Sequence, residues 1–193
     1  MATAARPQLT PGRVYRTRDL QRWSANAPRL AKRLVRDRAL VPLGRGLFFH
    51  PKAGHFGRVP PSDEELLRGF LDGTPFVVTG PERWNALGLG TTAVFAAPLV
   101  YDHKRSGFFV LGGRPFDLHR RAFPKSPPPE WFVVDLFENA DQAGASRAEL
   151  TSALARALTR SAFDRQRLTE MAQRFGTKTT QRAIWEALSA SRA

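Results

Sequence analysis

The chain reads as an α+β protein: a small basic domain of helices and a hairpin over residues 1–58, then a larger α+β domain over 59–193. Three observations predict this. Charge is segregated, because the first 58 residues hold 13 of the 30 Lys/Arg but only Asp19 and Asp37 of the 17 Asp/Glu, leaving the rest of the chain close to neutral. Apolar spacing in the first part changes from helical to strand-like on approaching Gly44-Arg45-Gly46. The second part alternates short β-branched runs with helical stripes that follow capping boxes. So one-sided a field at the N-terminus points to a polyanionic partner, whose phosphates it attracts while releasing their counterions.

The elements of the first part follow in order. Thr17 predicts an N-cap for a short helix, Arg18 to Trp23, in which Leu20 and Trp23 are three apart and share a face. Ser24-Ala25-Asn26-Ala27 breaks the periodicity, and Pro28 suits the first position of a second helix. There Leu30, Leu34 and Val35 form an apolar stripe, leaving Arg29, Lys32, Arg33 and Arg36 on other faces. Leu40-Val41-Pro42-Leu43 and Leu47-Phe48-Phe49-His50 flank the Gly-bounded turn as a β-hairpin, with Pro42 fitting only an edge strand.

A basic helix face alone is usually solvated surface, and a Gly-x-Gly hairpin is commoner still. Helix, turn, Pro-started basic helix and hairpin within residues 17–50 together read as a winged helix-turn-helix that binds duplex DNA. The predicted DNA-binding residues are Arg18, Asn26, Arg29, Lys32, Arg33, Arg36 and Arg45. Arg29 and Arg33 suit bidentate contacts to guanine, Lys32 and Arg36 suit phosphates, and Arg45 at the hairpin tip suits the adjacent minor groove or its backbone. Leu20, Trp23, Leu30, Leu34 and Leu40 would form the core beneath them.

Residues 51–61, rich in Gly and Pro, predict an irregular connection, and the division of function is expected near Phe56 to Pro61. Ser62 and Glu65 are spaced as a capping box for a helix to Asp72, with Leu66, Leu67 and Phe70 apolar. Pro75 to Thr79 predicts a strand, and Glu82 to Leu87 a helix closed by Gly88. Val94 to Tyr101, Phe108 to Leu111 and Pro115 to His119, separated by turns at Asp102 to Gly107 and Gly112-Gly113, predict a small antiparallel meander. Glu130 to Phe137 reads as a strand or the start of a helix. Ser146 and Glu149 cap a further helix, and two more are expected over Arg165 to Phe175 and Thr179 to Ser189, making a C-terminal helical subdomain.

The stretch Val14 to Lys52, with Gly80-Pro-Glu-Arg-Trp-Asn-Ala-Leu-Gly-Leu89, Leu111-Gly-Gly-Arg114 and Arg174-Phe-Gly-Thr-Lys-Thr-Thr180, resembles the AbiEi-type antitoxins of type IV toxin-antitoxin systems. The likeness runs from about Val14 to Glu186, although the winged-helix segment alone is shared by many regulators. It implies an N-terminal winged helix that represses its own promoter and a C-terminal domain that neutralises a nucleotidyltransferase toxin. The implied partners are double-stranded DNA with inverted repeats in that promoter, bound by two copies, and the cognate toxin as functional partner.

Other chemistry finds little support in the residues. The absence of cysteine excludes disulfides, thiol catalysis and Cys-ligated zinc. No apolar run approaches the ~20 residues of a membrane helix, and Met1 to Thr10 has no apolar core for a signal peptide, so a cytoplasmic protein without a membrane partner is expected. That arm would be frayed, with Arg6 and Arg13 near phosphate. His50, His55, His103 and His119 lack ligand spacing, so no metal site is expected. Asp102-His-Lys104 with Asp135 and Glu138 could serve a metal-dependent nuclease, but turn chemistry accounts for the first three. Gly176-Thr-Lys-Thr lacks the upstream glycine of a phosphate loop. Leu168, Ala172, Gly176 and Ile184 imitate a second helix-turn-helix one residue out of register, and a structural helical hairpin is the simpler reading. The expectation is a repressor and antitoxin with neither cofactor nor catalytic activity. The alternatives are a winged-helix nuclease and a sequence-nonspecific nucleic-acid-binding protein.

Overall fold

A computed structural model describes residues 7–55 and 57–191; Arg6, and Phe56 at the expected division of function, lie outside the described residues. The chain is mixed α+β, with helices and small, largely antiparallel sheets, and divides into two compact units. The first comprises 1–75 with 108–116, and the second 76–107 with 117–193.

In the first unit, strand β1 (Arg13–Arg16) leads into a 3-10 helix (Thr17–Arg22), helix α1 (Ala27–Arg36), and strands β2 (Val41–Gly44) and β3 (Leu47–His50). The three strands form an antiparallel sheet in the order β1-β3-β2. Pro42 therefore lies on an edge strand, where its missing N–H interrupts no central ladder, and the register shifts between Pro42 and Gly44. Arg45 and Gly46 both take positive φ, 53° and 70°, between the paired Gly44 and Leu47. Those are the dihedral signs of the tight hairpin turn whose twist matches its strands.

The sequence reading differs here at three points. The first helix is a single 3-10 segment, and its N-cap is Arg16 rather than Thr17: the Arg16 N–H donates to Asp19 Oδ2 at 2.8 Å. Thr17 instead donates through its own N–H to the Gly46 carbonyl at 3.0 Å, fastening the hairpin tip to the end of β1. β1 itself, only four residues long, was hidden by its two flanking arginines. Residues 51–61 are not wholly irregular, since β4 (Lys52–Gly54) and β5 (Gly57–Val59) pair as an exposed antiparallel ribbon.

Helix α2 (Asp63–Phe70) is capped as predicted, with the Glu65 N–H donating to Ser62 Oγ and the Ser62 N–H to Glu65 Oε2. Those bonds, above all the one from the Ser62 backbone, hold the Glu65 carboxyl below its ordinary range. It packs on β1 so closely that Val14 lies against Gly69, while the Arg16 guanidinium donates to the Gly69 and Phe70 carbonyls. Residues 59–75 thus belong with the first unit, and the compact division falls at Pro75 instead of residue 58. Composition marked the Gly/Pro-rich stretch, whereas these contacts bind α2 back to the strand before it.

The second unit holds β6 (Phe76–Thr79), α3 (Pro81–Asn85), β7 (Leu99–Asp102), and helices α4 (Pro129–Glu138), α5 (Arg147–Thr159), α6 (Arg165–Phe175) and α7 (Lys178–Ala190). Strands β8 (Gly107–Leu111) and β9 (Arg114–Arg120) form a hairpin whose residues 108–116 fall in the first unit. The four-stranded sheet runs β6-β7-β9-β8, with β7 antiparallel to β6 and parallel to β9. The predicted meander is therefore corrected: β9 inserts between β7 and β8. Phe116 and Leu118 of β9 are fully buried while Phe108 and Val110 of β8 are exposed, so β9 holds the central place although β8 carries more apolar residues. Segment Glu130 to Phe137 resolves as helix, started by Pro129 at its first position.

α4 lies at the centre of the second unit's core, between α3, α6 and α7. Its buried Asp135 accepts hydrogen bonds from Thr79 Oγ1, Trp84 Nε1 (2.8 Å) and Asn139 Nδ2 (3.0 Å), the last also donating to Tyr101 Oη. Burial raises the carboxyl's pKa against the opposing pull of the Thr79 and Trp84 donors, and burial likewise raises that of Tyr101. Glu138 is held low: desolvation pushes upward, but hydrogen bonds from Thr180 and Thr177 outweigh it.

Candidate nucleic-acid interface

Helix α1 advances 100° per residue, so positions i, i+3, i+4 and i+7 share a face and a set displaced by two residues lies on the opposite side. Ala27, Leu30, Ala31 and Leu34 are such a set, and all four are buried. They pack with Tyr15, Leu20 and Leu40, with Trp23, Val35 and Phe48 around them. Fully burying a Leu in this way contributes about 1.5–3 kcal/mol, so Leu30 and Leu34 fix the rotation of the helix. The displaced set is Arg29, Lys32, Arg33 and Arg36, and all four are exposed.

The helix start is fixed as firmly. Asn26 accepts the Arg29 N–H at 3.1 Å through its side chain, and Pro28 occupies the first turn. Asn26 is therefore the N-cap, and it stands beside Arg29 at the end of the helix where the backbone dipole favours a phosphate. At the other end Arg38, at φ 57°, lets the Ala39 and Leu40 N–H groups return to the Leu34 carbonyl, which stops the helix before the hairpin.

The structure brings Asn26, Arg29, Lys32, Arg33 and Arg36 together along one open groove of about 530 Å³, with Leu30 beneath and Trp23 and Ser24 at its end. Among the described residues Arg29, Lys32 and Arg33 form no ion pair, and Arg36 lies 3.6 Å from its neighbour Asp37. Three cations are thus available to a ligand without displacing a carboxylate.

The other two predicted residues stand apart. Arg18, on the 3-10 helix, pairs with Asp72, whose hydrogen bond and charge raise the guanidinium's pKa further. Arg45 is at the hairpin tip and exposed, but its guanidinium rests 4.9 Å from the centre of the Phe109 ring. A phosphate competing for it displaces a cation–π contact worth about 0.5–1 kcal/mol at an exposed site.

Trp23, assigned to the core from sequence, is half-buried and carries Arg22 over its ring at 3.8 Å. It both packs on the core and ends the groove. Nothing in its spacing distinguished these roles, since Leu20 and Trp23 share a face under either.

The carboxylates and histidines of the second unit do not converge. Asp102 Oδ1 accepts the backbone N–H groups of Lys104 and Arg105 at 2.6 and 2.8 Å, which makes it the anchor of the turn. Asp135 is enclosed by its donors, and Glu138 Oε1 accepts from Thr177 N and Oγ1. His103 stacks on Phe123, while His119 lies 3.1 Å from Asp117. Among the described residues no three His, Asp or Glu side chains are grouped so as to hold a metal ion, and no helix is long and apolar enough to cross a membrane. No protein-family model, curated protein or solved structure matches the chain.

Proposed function

We propose that the protein is a DNA-binding transcriptional repressor whose first unit is a winged helix-turn-helix. The observation that carries this is the exposed basic stripe of α1, three of whose four cations form no ion pair among the described residues, set opposite a buried stripe and followed at once by a tight hairpin. A B-DNA major groove about 12 Å wide admits one helix. With α1 in it, Arg29 and Arg33 each reach the O6 and N7 acceptors of a guanine, and Lys32 and Arg36 take flanking phosphates. The hairpin is the wing, and Arg45 exchanges Phe109 for the DNA backbone beside it. Two copies on inverted repeats would double this footprint, as in other dimeric readers.

The resemblance to AbiEi-type antitoxins extends the proposal: the operator lies in the protein's own promoter, and the second unit supports neutralisation of a nucleotidyltransferase toxin in the cytoplasm. That Asp102, Asp135 and Glu138 are each engaged by local donors supports a binding protein over the metal-dependent nuclease.

A gel shift of the upstream region in chelator tests the reading. The fragment should shift intact, and Arg33→Ala should weaken binding by ~1–3 kcal/mol and relax preference at one base pair. Cleavage on adding divalent metal, or an unaltered base preference in the variant, defeats it.

A further inference from the structure

We propose that the groove between α6 and α7 binds single-stranded nucleic acid, stacking an unpaired base on Trp185 while Lys178 and Arg182 hold the neighbouring phosphates. Lys178, Gln181, Arg182 and Trp185 occupy positions i, i+3, i+4 and i+7 of α7 and so form one stripe. Next to Trp185, Ile184, Ala187 and Leu188 are buried at 5% exposure or less, whereas Trp185 is 63% exposed. So large an aromatic surface left in water on a well-anchored helix costs solvation that a stacked base would recover.

The groove measures about 400 Å³, with Thr169, Ala172 and Gln173 of α6 along its far wall. Its charge complements a phosphate chain, for two cations and no carboxylate line it, and among the described residues neither Lys178 nor Arg182 forms an ion pair. An acidic peptide would be served by donors alone. Gln173, Gln181 and Thr169 offer acceptors as well, which suits the mixed edges of a base. Single-strand sites combine these parts: cations that follow the backbone and an aromatic platform tolerant of sequence. The inference does not depend on α1 reading duplex DNA.

The full chain carrying Arg29→Ala and Arg33→Ala, which weakens the α1 stripe, should be titrated with fluorescein-labelled deoxyuridine and uridine ten-mers. Binding should quench tryptophan emission. Trp185→Ala should weaken binding roughly 5- to 150-fold, since base stacking is worth ~1–3 kcal/mol. Trp185→Phe should keep most of the affinity and lose most of the quenching, which a purely structural tryptophan would not do. Binding of either ten-mer that Trp185→Ala weakens supports the site, and the preferred one identifies the sugar. Equal affinity in Trp185→Ala overturns the proposal. So does equal quenching by polyglutamate, which would mark an acidic polypeptide site, or self-association abolished by Trp185→Ala, which would mark a contact between copies.

Discussion

Replacing Gly69 with alanine sets two effects of known size against each other. Gly69 lies in the last turn of α2, where alanine gains up to about 0.8–1.0 kcal/mol of helix propensity. A Cβ built there, however, would stand 2.3 Å from Val14 Cγ1 and 2.6 Å from Val14 Cβ. Val14 is 8% exposed on β1, paired with Phe49, and so has little room to retreat. Overpacking of this kind costs about 1–3 kcal/mol, so the clash should win, with a net loss of up to about 2 kcal/mol. The first unit contains only Trp23 of the four tryptophans, and its 5-fluorotryptophan resonance followed through urea denaturation isolates that unit. Val14→Ala in the same chain removes the closer contact, that with Cγ1, and leaves the one with Cβ, so a double-mutant cycle should return a favourable coupling of ~0.5 kcal/mol or more that does not cancel the whole penalty. If Gly69→Ala is stabilising, or the cycle gives no coupling, α2 does not bear on β1 and the placement of residues 59–75 in the first unit is wrong.

Two other outcomes are expected. Arg45→Ala should lower affinity on all DNA sequences alike and flatten the slope of log K against log salt by ~0.9, the release of one counterion; an unchanged slope means the hairpin tip does not touch DNA. Thr79→Val removes a donor to the buried Asp135 carboxyl, whose folded pKa already lies above its unfolded value. The sign follows from linkage: Asp135 contributes most below the unfolded carboxyl pKa of about 3.9, and its contribution falls as pH rises to the folded value. Loss of a donor to the charged form raises the folded value again, so the Thr79→Val penalty should grow with pH toward ~1.5–3 kcal/mol. Denaturation across pH 4–8 measures it, and a penalty independent of pH would show that Asp135 does not titrate in this environment.

The elements that local physics determines were legible. The basic stripe of α1, the Gly-bounded hairpin and the capping boxes at Ser62 and Ser146 each depend on residues within a few positions of one another, and the structure places them there. What sequence left hidden depends on distant partners. Spacing marked β7, β8 and β9 as strands but could not order them, because alternation specifies faces and not neighbours. The stacking of Arg45 on Phe109 and the pairing of Arg18 with Asp72 join residues more than fifty positions apart. The exposure of Trp185 was equally invisible, since an aromatic beside Ile184 on a helix more often enters the core.

Charge and packing mark different boundaries, and the difference bears on how the proposed reading head works. The net positive charge of the first 58 residues reads as one broad field. α2 and the residues after it alter that field. Asp72 pairs with Arg18 and lies 3.9 Å from Arg16, and Glu65 lies 3.6 Å from Lys52. Each neutralises a cation that is off the α1 stripe. Exposed pairs of this kind add little stability, but they remove charge from the surface where no groove contact is made. The unpaired cations of α1 are thereby left as the concentrated positive feature, and phosphate attraction falls off within a Debye length of about 8 Å at physiological salt. A chain ending at residue 58 would keep the full basic count yet lose this focusing, exposing Arg16, Arg18 and Lys52 as additional phosphate ligands. Under the proposed function, Glu65 of α2 and Asp72 after it would thus bear on specificity as well as packing, because they would confine the field to the helix face proposed to read bases.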